Sequence, residues 1–130
     1  LGVFPSINGQ PLSLELILGY LFAPIAWCMG IPWEESITAG TLLGVKTAMN
    51  EFVAYIYLAD VNTYVLSEKS RLIMLYGLCG FANFSSVAIL LSGLGAIIPH
   101  RKDDLIAVSG RALWAAFLAS CMTGYVVSLI

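Results

Sequence analysis

The sequence predicts an all-α membrane protein made of an interfacial helix, a re-entrant helical hairpin, a broken transmembrane helix and a terminal transmembrane helix. Three observations lead there. Of the 130 residues 59% are hydrophobic and 11% charged, with a mean hydropathy of +0.89, whereas a soluble domain carries about a quarter charged residues. Charge-free runs extend over Leu16–Trp33, Leu72–His100 and Ala112–Ile130, and roughly 20 apolar residues as helix cross a hydrocarbon core of about 30 Å. Lys46, Asn50 and Glu51 nevertheless stand inside sequence of this kind. A charge at bilayer depth costs at least about 2.5–3.5 kcal/mol, so it normally faces protein or water and marks a substrate or ion path. Glu51 is the expected centre of a site.

Leu1–Gln10, with Pro5 and Asn8-Gly9, reads as a turn-rich connector. Ser13 suits a helix N-cap, and Leu14–Gly30 follows as an apolar helix that Pro24 should interrupt by removing a donor and crowding the preceding turn. At about 17 residues it is too short for a straight span and fits an interfacial or re-entrant role. Tyr20, Trp27 and Trp33 suit the water–lipid boundary, where amphipathic rings collect.

Ile31–Ser36 opens the next helix, with Pro32 near its first position and Glu34 and Glu35 where the positive end of the macrodipole favours carboxylates. Adjacent helical residues point about 100° apart, so these two read as capping groups rather than an acid–base pair. Ser36–Gly44 and Thr47–Asp60 are each too short to cross. Joined at Gly44-Val45-Lys46-Thr47 they form the expected hairpin, whose irregular backbone requires burial in protein or contact with water. Its tip would present free amide donors at the start of the second arm.

Asp60–Arg71 is a polar loop with a helix cap at Ser67. Leu72–Ile98 would be about 40 Å long as one helix, more than the hydrocarbon needs, so it tilts or breaks. Gly77, Gly80 and Asn83-Phe84-Ser85-Ser86 place the break at its centre, because they combine a permissive backbone with side chains that bond freed backbone groups. Ser92-Gly93-Leu94-Gly95-Ala96 offers a small-residue face for helix packing. Pro99–Asp104 is a loop in which His100 is solvated. Leu105–Ile130 is the last helix, and Arg101, Lys102 and Arg111 against Lys69 and Arg71 place that loop in the cytoplasm.

A net charge of −2 with scattered signs leaves no basic stripe for nucleic acid. Cys28, Cys79 and Cys121 lack metal-type spacing and read as small buried hydrophobes. No nucleophile–base–orienter set, metal cluster or phosphate loop appears, which argues against an enzyme. The hairpin supplies Lys46, Thr47, Asn50 and Glu51, and the broken helix supplies Phe81, Asn83, Ser85 and Ser86, at similar depth. Discontinuous elements meeting at the midplane are how many transporters build a site. A carboxylate beside Asn and Ser can bind a polyhydroxylated ligand, with Phe81 as an apolar surface for a ring. Two alternatives stay open: Asn83 and Ser86 only staple helices, and Lys46 forms a structural ion pair with Glu51. A membrane scaffold or interaction subunit without its own substrate is the competing function. The start at Leu1 and the apolar end at Ile130 suggest a piece of a longer protein with partners elsewhere.

Several stretches resemble the C-terminal portion of the concentrative nucleoside transporter family: Leu21-Phe22-Ala23-Pro24, Gly30-Ile31-Pro32-Trp33, Gly44-Val45-Lys46-Thr47 with Asn50-Glu51-Phe52-Val53-Ala54-Tyr55, Leu66-Ser67-Glu68-Lys69, Cys79-Gly80-Phe81-Ala82-Asn83-Phe84-Ser85-Ser86 and Gly93-Leu94-Gly95. They run in family order over nearly the whole chain. The resemblance implies that residues 1–130 form the C-terminal half of the transport domain of a Na+- or H+-coupled nucleoside symporter. It implies a homotrimer in a plasma membrane, such as a bacterial inner membrane, whose transport domain moves against a fixed scaffold. It further implies that Glu51, Asn83 and Ser86 bind ribose hydroxyls and that Phe81 lines the same pocket. A first hairpin, reading the nucleobase and holding the cation, would lie upstream.

Overall fold

A computed structural model describes residues 6–7, 10–11, 13–61 and 65–130. At the start, β1 (Ser6–Ile7) pairs antiparallel with β2 (Gln10–Pro11) in a two-residue ladder, Ser6 opposite Pro11 and Ile7 opposite Gln10. The expected turn residues Pro5 and Asn8-Gly9 lie outside the described set, as do residues 62–64 of the expected polar loop. Every other regular element among the described residues is helical.

Helix α1 (Leu14–Cys28) starts where Ser13 Oγ accepts from Leu16 N at 3.2 Å. Pro24 lies inside it without interrupting it, which corrects the expected break. The missing donor falls in the last two turns, and the opposite face buries Gly19, Phe22, Ala23 and Ala26, so packing offsets the lost bond. Trp27 and Trp33 stay exposed and meet edge to face at 6.5 Å.

Helix α2 (Trp33–Ala48) turns back on α1 with an angle of 117° between them. The crossing is tight, since a Cβ on Gly40 would lie 2.7 Å from Ala23 N and 3.0 Å from Phe22 C. The backbones touch directly at this position. Gly44 faces the Leu18 side chain in the same way. Residues 44–47 are therefore helical and buried or half-buried, and the expected joint there is moved to Met49–Asn50. Glycine at 44 serves close helix approach rather than chain reversal. Helix α3 (Glu51–Asp60) follows, capped by Asn50 Oδ1, which accepts from Val53 N at 2.9 Å.

Helix α4 (Glu68–Gly77) opens at Ser67, whose hydroxyl accepts from Ser70 N. The expected long run does break: α4 ends at Gly77 and α5 (Phe84–Ile97) begins at Phe84, capped by Asn83. A short 3-10 turn, Pro99–Arg101, carries the exposed His100 into α6 (Lys102–Ser128), which begins three residues earlier than expected. Pro99–Ser128 is the one described continuous helix that is long and apolar enough to cross a membrane.

One core joins α1, α2, α3, α4 and α6 through Phe22, Leu42, Leu43, Leu58, Ile73 and Phe117. Phe22 and Phe117 rings stand 5.3 Å apart. Helix α5 packs on α6 yet buries none of its own residues. Within the small-residue stretch of α5, a Cβ on Gly93 would meet nothing within 4 Å, while one on Gly95 would meet the Lys102 side chain at 3.8 Å. Cysteine is corrected as well: Cys121 is buried, while Cys28 at the end of α1 and Cys79 in the break are exposed. Gly40→Leu should overpack the α1–α2 crossing and lower stability by about 1–3 kcal/mol, measured as a fall in the unfolding midpoint of the full-length protein in detergent.

Candidate functional site

A helix that stops in apolar surroundings leaves its last carbonyls unpaired unless something reaches them. At the end of α4 each one is met. Leu78 N donates to Met74 O at 2.8 Å, Cys79 N to Tyr76 O at 3.2 Å and Gly80 N to Leu78 O at 2.7 Å. The remaining two are reached from the hairpin: Tyr55 OH on α3 donates to Leu75 O at 2.8 Å, and Lys46 Nζ on α2 donates to Gly77 O at 3.2 Å.

On the other side of the break, Asn83 is 1% exposed and uses both ends of its amide. Its Oδ1 accepts from Ser86 N at 2.7 Å, capping α5. Its Nδ2 donates to Glu51 Oε2 at 3.2 Å and to Phe81 O at 3.3 Å. The amide that starts one half-helix therefore grips the first residue of the other arm. A carboxylate has about four lone-pair positions, and the bond to Asn83 occupies one of them. Glu51 is half-buried, so acceptor capacity remains on the open side.

Phe81 is 79% exposed, and Ser86 is half-buried. Both line the mouth of a groove of about 370 Å³ that continues between α5 and α6 along Val87, Leu90 and Leu94. Phe81 and Ser86 thus line this groove, while Asn83, bonded to Ser86 N and Phe81 O, connects it to Glu51, which is not itself part of the lining. Ser85 is exposed on the first turn of α5.

The remaining hairpin residues go elsewhere. Thr47 Oγ1 donates back to Leu43 O of its own helix at 2.8 Å, and Asn50 caps α3. Lys46 is fully buried. Besides Gly77 O it donates to Ser120 Oγ at 2.5 Å, and its Nζ sits 5.8 Å from the Phe117 ring centroid. The alternative of a Lys46–Glu51 pair gives way to contacts with α4 and α6, and among the described residues the ion pair is Arg101 with Asp104 at 3.0 Å. Glu35 is the other surprise. Its Oε2 accepts from Ser67 N and Ser67 Oγ, both at 3.1 Å, so it ties the foot of the hairpin to the start of α4 as well as serving its own helix. Arg71 Nη1 adds a bond to Val61 O at 2.6 Å, just past α3. Sequence spacing carried no signal for these partners, which lie 10 to 74 residues apart.

Residues 1–128 match the family model described as "Na+ dependent nucleoside transporter C-terminus". The Helicobacter pylori nucleoside permease NupC is 43% identical over 124 residues, 92% of this chain and 30% of that protein. The Escherichia coli putative nucleoside permease NupX is 45% identical over 115 residues, 85% of this chain and 27% of that protein. Solute carrier family 28 member 3 of Mus musculus is 38% identical over 138 residues, 95% of this chain and 20% of that protein. In three dimensions the chain is similar to CNTnw in an inward-facing substrate-bound state, with a TM-score of 0.82 and 38% identity over 91% of this chain and 29% of that one. The chain thus spans less than a third of the length of these relatives.

Asn83→Ala removes a cap and the grip on Glu51 together, and should cost about 1–2 kcal/mol of stability. Asn83→Asp restores the cap but sets a second carboxylate against Glu51. Thermal unfolding of the full-length variants separates the two roles: recovery of stability in Asn83→Asp assigns the loss to capping, and continued loss assigns it to the contact with Glu51.

Proposed function

The chain belongs to the concentrative nucleoside transporter family, and from that premise we propose that it supplies the ribose-binding part of a cation-coupled nucleoside symporter. The observation that carries this reading is the Asn83 Nδ2 to Glu51 Oε2 bond at 3.2 Å, which joins hairpin and broken helix beside an opening lined by Ser86 and Phe81. Glu51 accepts from sugar hydroxyls, Asn83 holds that carboxylate, Ser86 adds a group that both donates and accepts, and Phe81 gives the ring an apolar face. A hydrogen bond to a charged group is worth roughly 1.5–3 kcal/mol, against about 0.5–1.5 for a neutral pair. Two hydroxyls on one carboxylate therefore account for a large share of a micromolar affinity of about 8 kcal/mol.

Members of the family are integral membrane proteins, and the long apolar α6 fits that setting. In the proposed arrangement the hairpin is the re-entrant pair α2–α3, α4 and α5 form the broken span, and α1 lies at the interface. The hydrogen bonds that Glu35 accepts and that Tyr55, Lys46 and Asn83 donate bind hairpin and broken helix into one body, which supports a transport unit that moves whole between the two sides. The coupling ion, Na+ or H+, travels as cargo with its main ligands upstream. Assembly as a homotrimer in a plasma membrane follows the family resemblance, and the bacterial relatives favour the inner membrane.

Glu51→Gln in the full-length protein should lower nucleoside uptake into proteoliposomes about a hundredfold at concentrations below KM, the loss of charge from two hydrogen bonds, while insertion and trimer content stay as in the wild type. Unchanged uptake removes Glu51 from the site. A nucleoside at about a hundred times its Kd should stabilise the wild type by roughly 2.7 kcal/mol, seen as a rise in Tm, whereas a scaffold subunit without a substrate would show no rise.

A further inference from the structure

Lys46 has no part in binding the sugar in the reading above, yet it is fully buried and makes the shortest side-chain hydrogen bond among the described residues, 2.5 Å to Ser120 Oγ. Its ammonium reaches α4 through Gly77 O and α6 through Ser120 Oγ, whose own hydroxyl donates onward to Phe117 O at 2.8 Å. The space is fitted to it. A Cβ on Gly80 would stand 3.3 Å from Lys46 Nζ and 3.0 Å from Ser120 Cβ, so the residue in the middle of the break is kept small where the ammonium passes.

Three bonds join the hairpin to the broken helix near its interruption. They run from Lys46 to Gly77, from Tyr55 to Leu75 and between Glu51 and Asn83. Gly77 is the last residue of α4, and Asn83 caps α5. Between them no helical hydrogen-bond ladder sets their separation. We infer that Lys46 is a positioning residue for Glu51 and Asn83: by fixing the end of α4 against α2 and α6, it sets the distance across the break at which the Asn83 amide holds the Glu51 carboxylate toward the sugar. The inference rests on the reading of Glu51 given above. A binding constellation must be held within about 0.5 Å by supporting contacts of this kind, and Lys46 is the only hairpin side chain described here that bonds to both α4 and α6.

The test is titration calorimetry on the full-length protein with uridine or adenosine, whichever the wild type binds more tightly, and with its 2′,3′-dideoxy analogue. The wild type should prefer the nucleoside by about a hundredfold or more, the weight of two hydrogen bonds to a charged group. Lys46→Met should bring that ratio to within about threefold of unity and leave affinity for the dideoxy analogue nearly unchanged. A purely structural lysine would weaken both ligands in parallel, and either that result or a wild-type ratio overturns the inference. Where Lys46→Met does not fold, Ser120→Ala decides: a ratio lowered by about threefold or more supports it, and a wild-type ratio overturns it. Glu51→Gln is measured beside them. A wild-type ratio in Glu51→Gln removes the sugar-binding reading itself, whereas collapse in Glu51→Gln with retention in Lys46→Met removes only the role given to Lys46.

Discussion

Backbone groups freed by a broken helix must find partners, and in apolar surroundings each unsatisfied one costs several kcal/mol. The interruption between Gly77 and Phe84 frees carbonyls on one side and amides on the other. Local turns satisfy some of the carbonyls, the hairpin reaches Leu75 O and Gly77 O through Tyr55 and Lys46, and on the far side Asn83 takes up Ser86 N. The hairpin is thereby held against the interruption by the need to complete hydrogen bonds. Hydrophobic exclusion alone would leave such a register loose, since lipid is as apolar as the helices.

This arrangement places chemistry where the structure is least regular. Asn83 does two things with one amide, starting α5 with its oxygen and holding Glu51 with its nitrogen. Replacing it with a better helix former would lose both. The carboxylate is kept half-buried, with capacity for further donors, and Asn83 links it to Phe81 and Ser86, which line a largely apolar groove. Charge in low dielectric forms stronger hydrogen bonds than charge in water, and it is also costlier to hold without partners. A carboxylate held in this way keeps acceptor positions of the kind a hydroxylated ligand needs, and it is held by residues that already answer to one another.

The foot of the hairpin repeats the logic at lower stakes. Glu35 receives Ser67 N and Oγ, and Arg71 reaches Val61 O, so both arms are tied to the beginning of α4 as well as to its end. The helix α1 contributes differently, by a backbone-to-backbone crossing at Gly40 that buries Ala23 and Phe22. Polar links thus orient the hairpin on one side while close packing holds it on the other.

Composition and apolar run length determined the helical membrane class, because burial in lipid leaves few backbone solutions. The caps at Ser13 and Ser67 and the break before Asn83 were equally legible, since capping is decided within three or four residues of chain. Glu51 stood out by charge alone, and its meeting with Asn83 was anticipated from depth and from the family pattern. Local pattern misplaced the hairpin joint at Gly44, where glycine instead serves contact with Leu18 of α1, and it expected Pro24 to interrupt a helix that packing keeps whole. The destination of Lys46 was likewise settled only in three dimensions, because its partners lie 31 and 74 residues away. A side chain's chemistry is written in its own position, but which backbone group it completes depends on which helix end the fold brings within reach.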